Sequence, residues 1–307
     1  MNSFDIDLRN GMRIKAYHWP AASKPIAVLQ IAHGMQEYAL RYDHFARWLN
    51  DNGIAVYSND HIGHGSSIGS MDDISHFPKK DDWQRSVDIL YALATKIKSD
   101  NPGVPVFLLG HSMGSVLVQT YMMRYGNEAD GYILSGAIRQ PRLMALTGRL
   151  LVRILIAING PKDRSELIIS LGYGQYNKHF KPNRTGADWL CSNNRIVDEY
   201  IASPLCGVPL TNMFYRNFFY GFSYIANPHN IKKFKARSPV LIVAGEDDPA
   251  GFFGNSPLKI KQLLSRYAGT KVELKLYPRF RHEILNETDR LEVYKDILLW
   301  INRFIYL

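Results

Sequence analysis

Short apolar runs alternate along this chain with longer segments of helical periodicity, and this alternation limits the possible folds more than any other feature. Runs that are apolar throughout predict strands buried on both faces, which is typical of a mostly parallel sheet covered by helices on both sides. The sequence therefore predicts an α/β fold. The predicted strands are 26–32, 54–57, 104–109, 132–134, 239–244 and 272–277, and the predicted helices are 42–52, 82–99, 115–124, 257–267 and 290–304.

The first twenty residues follow a different pattern. Apolar and polar side chains alternate over residues 4–8 and again over residues 12–16, on either side of Asn10-Gly11. This period of two, interrupted by an Asn-Gly pair, predicts a β-hairpin with a two-residue turn.

The alternation of strands and helices stops between residues 139 and 237 and then resumes. This stretch has no clean strand pattern and is rich in aromatic side chains, arginine and short helical pieces. Open α/β sheets bind their ligands beyond the carboxyl ends of the strands. We therefore expect residues 139–237 to form a mainly helical cap, inserted into a core that consists of residues 1–138 and 238–307.

Composition and charge exclude some classes of protein. With 46% apolar and 21% charged residues, the chain is neither disordered nor fibrous. The net charge of +9 would favour anionic surfaces, but no long Lys/Arg block occurs, so we expect a solvated basic surface and no nucleic-acid partner. Cys191 and Cys206 do not make a disulfide framework. No signal peptide and no run of about 18 apolar residues is visible, so we expect a cytoplasmic protein.

The pattern Gly-x-Ser-x-Gly occurs twice, at residues 65–69 and 110–114. In a nucleophile elbow this pattern joins a strand to a helix, and its glycines permit a turn too tight for side chains nearby. The second match follows an apolar strand and precedes a helical segment, whereas the first follows a loop and precedes no periodic helix. The sequence therefore predicts Ser112 as the nucleophile and places Ser67 in a loop.

A serine hydroxyl attacks an acyl group readily only when a base takes its proton and a third group orients the base. In enzymes built on a nucleophile elbow, the chain order is serine, acid, histidine. His282 follows the strand at 272–277 and is the expected base. Asp247 and Asp248 both follow the strand at 239–244, and either could instead stabilise a turn.

Two backbone N–H groups are expected to bind the negative oxygen that forms when the serine attacks. One belongs to Met113, directly after the nucleophile. The other should come from the loop after the strand at 26–32, and we assign it to Met35.

Five segments of the chain carry motifs: His33 to Glu37 with Arg41-Tyr42, Asp60 to Ser67, Gly110 to Gly114, Gly245 to Asp248, and Arg281 to Glu287. Together they resemble the monoacylglycerol lipase and lysophospholipase branch of the α/β-hydrolases, which is often described as serine aminopeptidase-like. The resemblance covers nearly the whole chain. It implies the α/β-hydrolase fold and an acyl-enzyme mechanism that requires no metal and no cofactor. Since this branch carries its acid at the fourth position of a Gly-x-x-Asp turn, the resemblance favours Asp248 over Asp247.

His61 and His64 also invite a metal interpretation. Both lie in a glycine-rich loop and the sequence indicates no third ligand, so a structural role in the loop is favoured.

The expected cap bears on the substrate. Arg142, Arg149 and Arg153 fall on one face of an otherwise apolar helix. Such a helix can lie at a lipid surface, or it can pack on the core with solvated arginines, and the sequence leaves both open. The aromatic side chains between residues 214 and 224 would likewise line an acyl tunnel or form the cap's own small core.

These observations predict a serine ester hydrolase. The resemblance and the apolar cap favour single-chain acyl lipids, such as monoacylglycerols or lysophospholipids, as substrates, with a transient lipid contact through the cap. A short-chain carboxylesterase or a thioesterase is the alternative among enzymes. A ligand-binding protein of the same fold without activity is the alternative from another class, and it is disfavoured because all three residues of the triad are present.

Overall fold

An eight-stranded sheet lies at the centre of this computed structural model, which describes residues 1–7, 11–171, 173–234 and 238–305. The strands are β1 (Asn2–Asp7), β2 (Arg13–Trp19), β3 (Ala27–Ala32), β4 (Ile54–Asn59), β5 (Val106–His111), β6 (Gly131–Ser135), β7 (Val240–Gly245) and β8 (Val272–Tyr277). Their order across the sheet is β1-β2-β4-β3-β5-β6-β7-β8. β2 is antiparallel to both of its neighbours, whereas the strands from β4 to β8 are parallel.

Helices cover both faces of this sheet. They are α1 (Asp43–Asp51), α2 (Asp82–Asp100), α3 (Met113–Tyr125), α4 (Arg142–Asn159), α5 (Glu166–Leu171), α6 (Asn194–Ala202), α7 (Asn212–Ile225), α8 (Pro228–Ile231), α9 (Asn255–Ala268) and α10 (Leu291–Asn302). Side chains of α1 and α10 share a core with Leu109, while those of α2, α3 and α9 share another with Leu108. Consecutive strand residues thus point to opposite faces and both are buried, which explains why the central strands are apolar throughout.

The predicted elements are confirmed. All six apolar runs form strands and all five periodic segments form helices, with ends that agree within two residues. The predicted hairpin is also present, since β1 pairs with β2 and Ile6 faces Ile14. Its predicted turn includes Asn10, which lies outside the described residues. The first strand, β1, ends at Asp7, and the second, β2, begins at Arg13.

The strand order gathers several loops at one edge of the sheet. β3, β5, β6, β7 and β8 are consecutive neighbours and parallel, so their carboxyl ends lie on the same side. β3 ends at Ala32, β5 at His111, β7 at Gly245 and β8 at Tyr277. The segments that follow these four strands carry every residue that the sequence predicts for the site.

The chain between β6 and β7 contributes α4 to α8, and it forms no strand within its described residues. We call residues 139–237 the insertion, of which 235–237 lie outside the described residues. α4 packs along α7, where the absence of a side chain at Gly148 admits the ring of Phe219. α7 in turn rests on the core, since Asn217 Oδ1 accepts a hydrogen bond of 3.1 Å from the Trp83 amide.

Within the described parts of the chain, every helix is too short or too polar to cross a membrane.

Candidate active site

Ser112 lies at a sharp turn between β5 and α3. Its backbone has φ 52° and ψ −115°, a conformation that is strained for any residue with a side chain. The glycines on either side make the turn possible. A Cβ on Gly110 would lie 2.3 Å from the Gly114 carbonyl oxygen, and one on Gly114 would lie 2.0 Å from the Ala32 carbonyl oxygen. The spacing of the motif therefore follows from steric exclusion at both glycines.

The structure brings three of the predicted residues together. Ser112 Oγ lies 2.8 Å from His282 Nε2, and Asp248 Oδ2 lies 3.0 Å from His282 Nδ1. An ionised carboxylate can only accept a hydrogen bond, so His282 carries its proton on Nδ1 and offers Nε2 to the serine hydroxyl. Burial alone would lower the pKa of His282, but the carboxylate of Asp248 raises it above its ordinary value of 6.5.

The two candidate aspartates occupy different surroundings. Asp248 is completely buried, and besides His282 it accepts a hydrogen bond of 2.9 Å from the Ala250 amide. Asp247 is exposed, and its amide bonds to the Phe280 carbonyl. Asp248 is therefore the aspartate that contacts the histidine.

The loop after β3 lies directly against the serine. A Cβ on Gly34 would lie 2.7 Å from Glu37 Oε1 and 3.3 Å from Ser112 Cβ, so a larger residue here would crowd both side chains. Met35 lines a small cavity together with Ser112 and His282. Met113 is the first residue of α3, and its amide is one of the free N–H groups at the positive end of that helix.

A buried ionic cluster, which no pattern in the sequence predicted, supports both sides of the site. Arg41 donates hydrogen bonds from Nη1 and Nη2 to the two carboxylate oxygens of Glu283, at 2.7 and 2.8 Å, and Nη1 also donates to Glu37 at 2.8 Å. Glu37 also accepts hydrogen bonds from the Gly34 amide and the Tyr42 hydroxyl. Burial raises the pKa of Glu37, whereas Arg41 holds the pKa of Glu283 below its ordinary value. In the sequence, these residues are visible only as members of two motifs, the one at 33–42 and the one at 281–287.

A segment of the insertion covers the site. The ring of Trp189 lies 5.1 Å from that of His282, and the Leu190 carbonyl accepts a 2.7 Å hydrogen bond from the Glu283 amide. Arg281 holds the same segment through the Asp188 carbonyl, at 2.5 Å. The cavity that remains above Ser112 measures about 20 Å³, which is room for about one water molecule.

The other residues that the sequence singled out have local roles. Ser67 accepts a hydrogen bond from the Lys15 amide and donates one to the Asp60 carbonyl, so its hydroxyl is occupied within the loop. The rings of His61 and His64 are buried beside that of His33. Among the residues that the structure describes, no group of three or more His, Cys, Asp or Glu is arranged to hold a metal ion.

Comparison with known proteins decides the family. The profile of the family described as serine aminopeptidase, S33 matches residues 23–289. The chain belongs to this family. The resemblance that the motifs indicated is thereby confirmed.

The relatives of this S33-family protein agree with the fold. The monoacylglycerol lipase of Mycolicibacterium smegmatis is 28% identical over 296 residues, which is 95% of this chain and 93% of the lipase. A thermostable carboxyl esterase from Bacillus coagulans superimposes with a TM-score of 0.90 and 26% identity, covering 99% of this chain and 98% of the esterase. The monoglyceride lipase of Saccharomyces cerevisiae superimposes with a TM-score of 0.74 at 22% identity, over 99% and 94% of the two chains, and shows the fold alone. The protein is an α/β-hydrolase of the lipase and esterase type.

Proposed function

We propose that this S33-family hydrolase cleaves acyl esters through a covalent acyl-enzyme, with Ser112, His282 and Asp248 as its catalytic triad. The hydrogen-bonded chain from Ser112 Oγ through the imidazole to Asp248 supports the proposal. His282 takes the serine proton as Oγ attacks the acyl carbonyl, and then gives it to the departing alcohol. A water molecule, deprotonated by the same imidazole, attacks the acyl-enzyme and releases the acid and the free serine.

The negative oxygen of each tetrahedral intermediate binds to the amides of Met35 and Met113. The close approach of Gly34 to Ser112 supports the first assignment, and the position of Met113 at the start of α3 supports the second. Donors fixed by the backbone need no reorganisation when the charge forms, which makes them effective in a buried site.

The substrates that we propose are single-chain acyl lipids, with the insertion acting as a cap over the site. The names of the relatives include monoacylglycerol and monoglyceride lipases. The outer face of α4 offers a second argument, because it exposes a row of apolar side chains to solvent. These are Leu143, Met144, Leu146, Leu150, Ile154 and Ile158.

The same face of α4 is suited to a lipid surface. Arg142 and Arg153 are exposed beside the apolar row, while Ala145 and Val152 on the opposite face are buried. The helix therefore packs on the protein with one face and presents an apolar face flanked by cations with the other. This arrangement is typical of helices that lie in the interface of anionic lipids. We propose that the cap touches such a surface while the substrate enters.

A short-chain carboxylesterase is the second candidate, and the small cavity favours it because a short acyl group requires a smaller movement of the covering segment than a long one. About 20 Å³ above Ser112 leaves no room for a long chain unless the cap opens.

The experiment that separates the two candidates is a chain-length series. Esters from acetyl to palmitoyl are offered on glycerol and on lysophosphatidylcholine, with Ser112→Ala as the blank. We expect a maximum at long chains, and the preferred head group then distinguishes a monoacylglycerol lipase from a lysophospholipase. A maximum at acetyl or butyryl would instead establish the short-chain esterase.

A fluorophosphonate probe tests the nucleophile separately. It should label the wild-type protein and leave Ser112→Ala unlabelled. Folded wild-type protein that resists the probe and hydrolyses none of the esters would contradict the serine hydrolase mechanism itself.

A further inference from the structure

The orientation of one peptide plane decides whether Met35 can serve the proposed oxyanion hole. In a trans peptide the N–H and the C=O point in opposite directions. The Met35 N–H and the Gly34 C=O belong to the same peptide, so whatever holds that carbonyl also aims that amide.

The Gly34 carbonyl is held by the side chain of the residue before it. His33 Nδ1 lies 2.7 Å from the Gly34 oxygen. The other ring nitrogen, Nε2, lies 3.0 Å from the His61 amide nitrogen. A backbone N–H can only donate, so Nε2 must be the acceptor and the proton of the neutral ring resides on Nδ1. The loop that carries His61 thereby sets the tautomer that His33 needs in order to hold the carbonyl.

The surroundings of His33 keep its imidazole ring uncharged. The ring is completely buried, with His61 4.0 Å away and His64 5.3 Å away between ring centres. Burial, reinforced by these two imidazoles, holds the pKa of His33 well below its ordinary value. Burial likewise lowers the pKa of His61 to about 3 and that of His64 to about 4. No carboxylate bonds to the His33 ring among the residues described.

A glycine at position 34 makes such a restraint necessary. Glycine is compatible with Ser112 and Glu37 at this position, but it also gives the backbone the most freedom to rotate. The Glu37 carboxylate holds the peptide before Gly34 through its amide, at 2.5 Å. His33 holds the peptide after it. The two bonds restrain Gly34 from both sides.

We propose that His33 is a positioning residue for catalysis: through the Gly34 carbonyl it directs the Met35 N–H toward the oxygen that becomes negative on Ser112 attack. This inference rests on the proposed function and deepens it. His33 touches no reacting atom, and its effect should be confined to the transition state and the tetrahedral intermediates.

Two substitutions divide the bonds of His33 between them. In His33→Asn the amide nitrogen takes the position of Nδ1 and can still donate to the Gly34 carbonyl, but the His61 amide loses its acceptor. In His33→Gln the terminal oxygen takes the position of Nε2 and can accept from the His61 amide, but the Gly34 carbonyl loses its donor. Each variant therefore keeps one of the two bonds.

The test compares three quantities for each variant: kcat and KM for a soluble butyryl ester, the affinity for a trifluoromethyl ketone, and the midpoint of thermal unfolding. The ketone forms a tetrahedral adduct whose oxygen is negative, so it reports the hole rather than ground-state binding. His33→Gln should lose on the order of 10²- to 10³-fold in kcat, the usual cost of one oxyanion donor, with KM unchanged and a parallel loss of ketone affinity. His33→Asn should lose less than about a tenth of that factor at a similar thermal midpoint.

Equal losses in the two variants, or a loss in kcat without a loss in ketone affinity, would overturn the inference and leave the proposed triad untouched. Failure of the proposed function has a different signature, since the wild-type protein would then neither turn over the ester nor bind the ketone.

A measurement on the wild-type protein needs no substitution. The ¹⁵N resonances of the His33 ring should show the proton on Nδ1 and should not change as the pH falls from about 8 to about 6, across the ordinary histidine range. A ring protonated on Nε2, or one that titrates in this range, would contradict the inference even if neither variant folds.

Discussion

The core and the insertion differ in which side chains they bury and which they leave exposed to water. Around the site the core removes charged side chains from water: Asp248 and Asp60 are completely buried, and Glu283 is 4% exposed. In the insertion, α4 leaves apolar side chains in water, with Leu143 at 74% and Ile158 at 72% exposure. Both arrangements oppose the usual distribution of residues between interior and surface.

The difference lies in what each group contacts. Every buried carboxylate near the site meets a donor or a cation, as Glu283 meets Arg41 and Asp248 meets His282. Burial of a charge is tolerated on that condition. The side chains of the apolar row on α4 are 42% to 74% exposed, and an exposed apolar patch of this kind is typical of a surface that contacts another molecule.

Among the variants that test this difference between core and insertion, substitution of the buried Asp248 should have the largest effect on activity. Asp248→Asn should lower kcat by about 10⁴-fold, because an amide can leave the imidazole in the wrong tautomer and no longer stabilises its charged form. Asp247→Asn is the matched control, since this neighbour is exposed and should be nearly silent. Ester turnover by both variants checks the prediction, and a crippling effect at Asp247 with a mild one at Asp248 would reverse the assignment.

The pH profile gives the same prediction a second readout. The base acts when it is deprotonated, so activity should rise with pH and reach half of its maximum above pH 6.5, because Asp248 raises the pKa of His282. In Asp248→Asn the burial of the imidazole remains without the carboxylate. The rising limb of the residual activity should therefore move to lower pH.

An intermediate effect, on stability, is expected from a comparison of two arginines that each form an ion pair with a glutamate four residues away. Arg41 pairs with Glu37 in the core, where its side chain is 10% exposed, and Arg195 pairs with Glu199 in the insertion, where it is 70% exposed. Arg41→Met should reduce the free energy of unfolding by about 3–5 kcal/mol, because it leaves buried carboxylates unpaired. Arg195→Met should cost less than about 1 kcal/mol. Denaturant unfolding of both variants measures the difference.

The loss in Arg41→Met should also depend on pH. Without the cation, Glu37 and Glu283 bind protons more tightly in the native state than in the unfolded chain, so the variant loses stability as the pH rises. The deficit should be larger at about pH 8 than at about pH 5. Equal costs for the two arginine variants would mean that the core cluster is no more important than an exposed pair.

The smallest effect is expected from the apolar row of α4. The double variant Leu150→Gln/Ile154→Gln should lower hydrolysis of long-chain esters in anionic vesicles several-fold, because it removes the apolar contact with the lipid. It should leave hydrolysis of a soluble butyryl ester unchanged.

Exposed leucines of α10 in the core provide the control for this prediction. Leu291 is 51% exposed and Leu299 is 64% exposed, so Leu291→Gln/Leu299→Gln makes the same chemical change elsewhere. If the control pair lowers the vesicle rate as much as the α4 pair, the row has no special relation to lipid.

The parts of this protein that could be predicted from the sequence are those that local interactions determine. The strand before Ser112, the helix after it and the glycines at 110 and 114 are all readable within a dozen residues. Their physical causes act over the same short range, since periodicity sets the face that is buried and the missing Cβ atoms permit the turn. The residues alone did not choose between Asp247 and Asp248, because the choice depends on which carboxylate faces a histidine 34 residues away from Asp248.

The sequence by itself therefore determined the order of strands and helices, the elbow and the family. Tertiary structure alone decided that Arg41 meets Glu283 across 242 residues of chain, that His33 and His61 hold one loop between them, and that Trp189 covers the site. These contacts join segments that only the packing of the sheet and the insertion brings together. No local pattern encodes them, since their energies depend on burial and on partners that are distant in sequence.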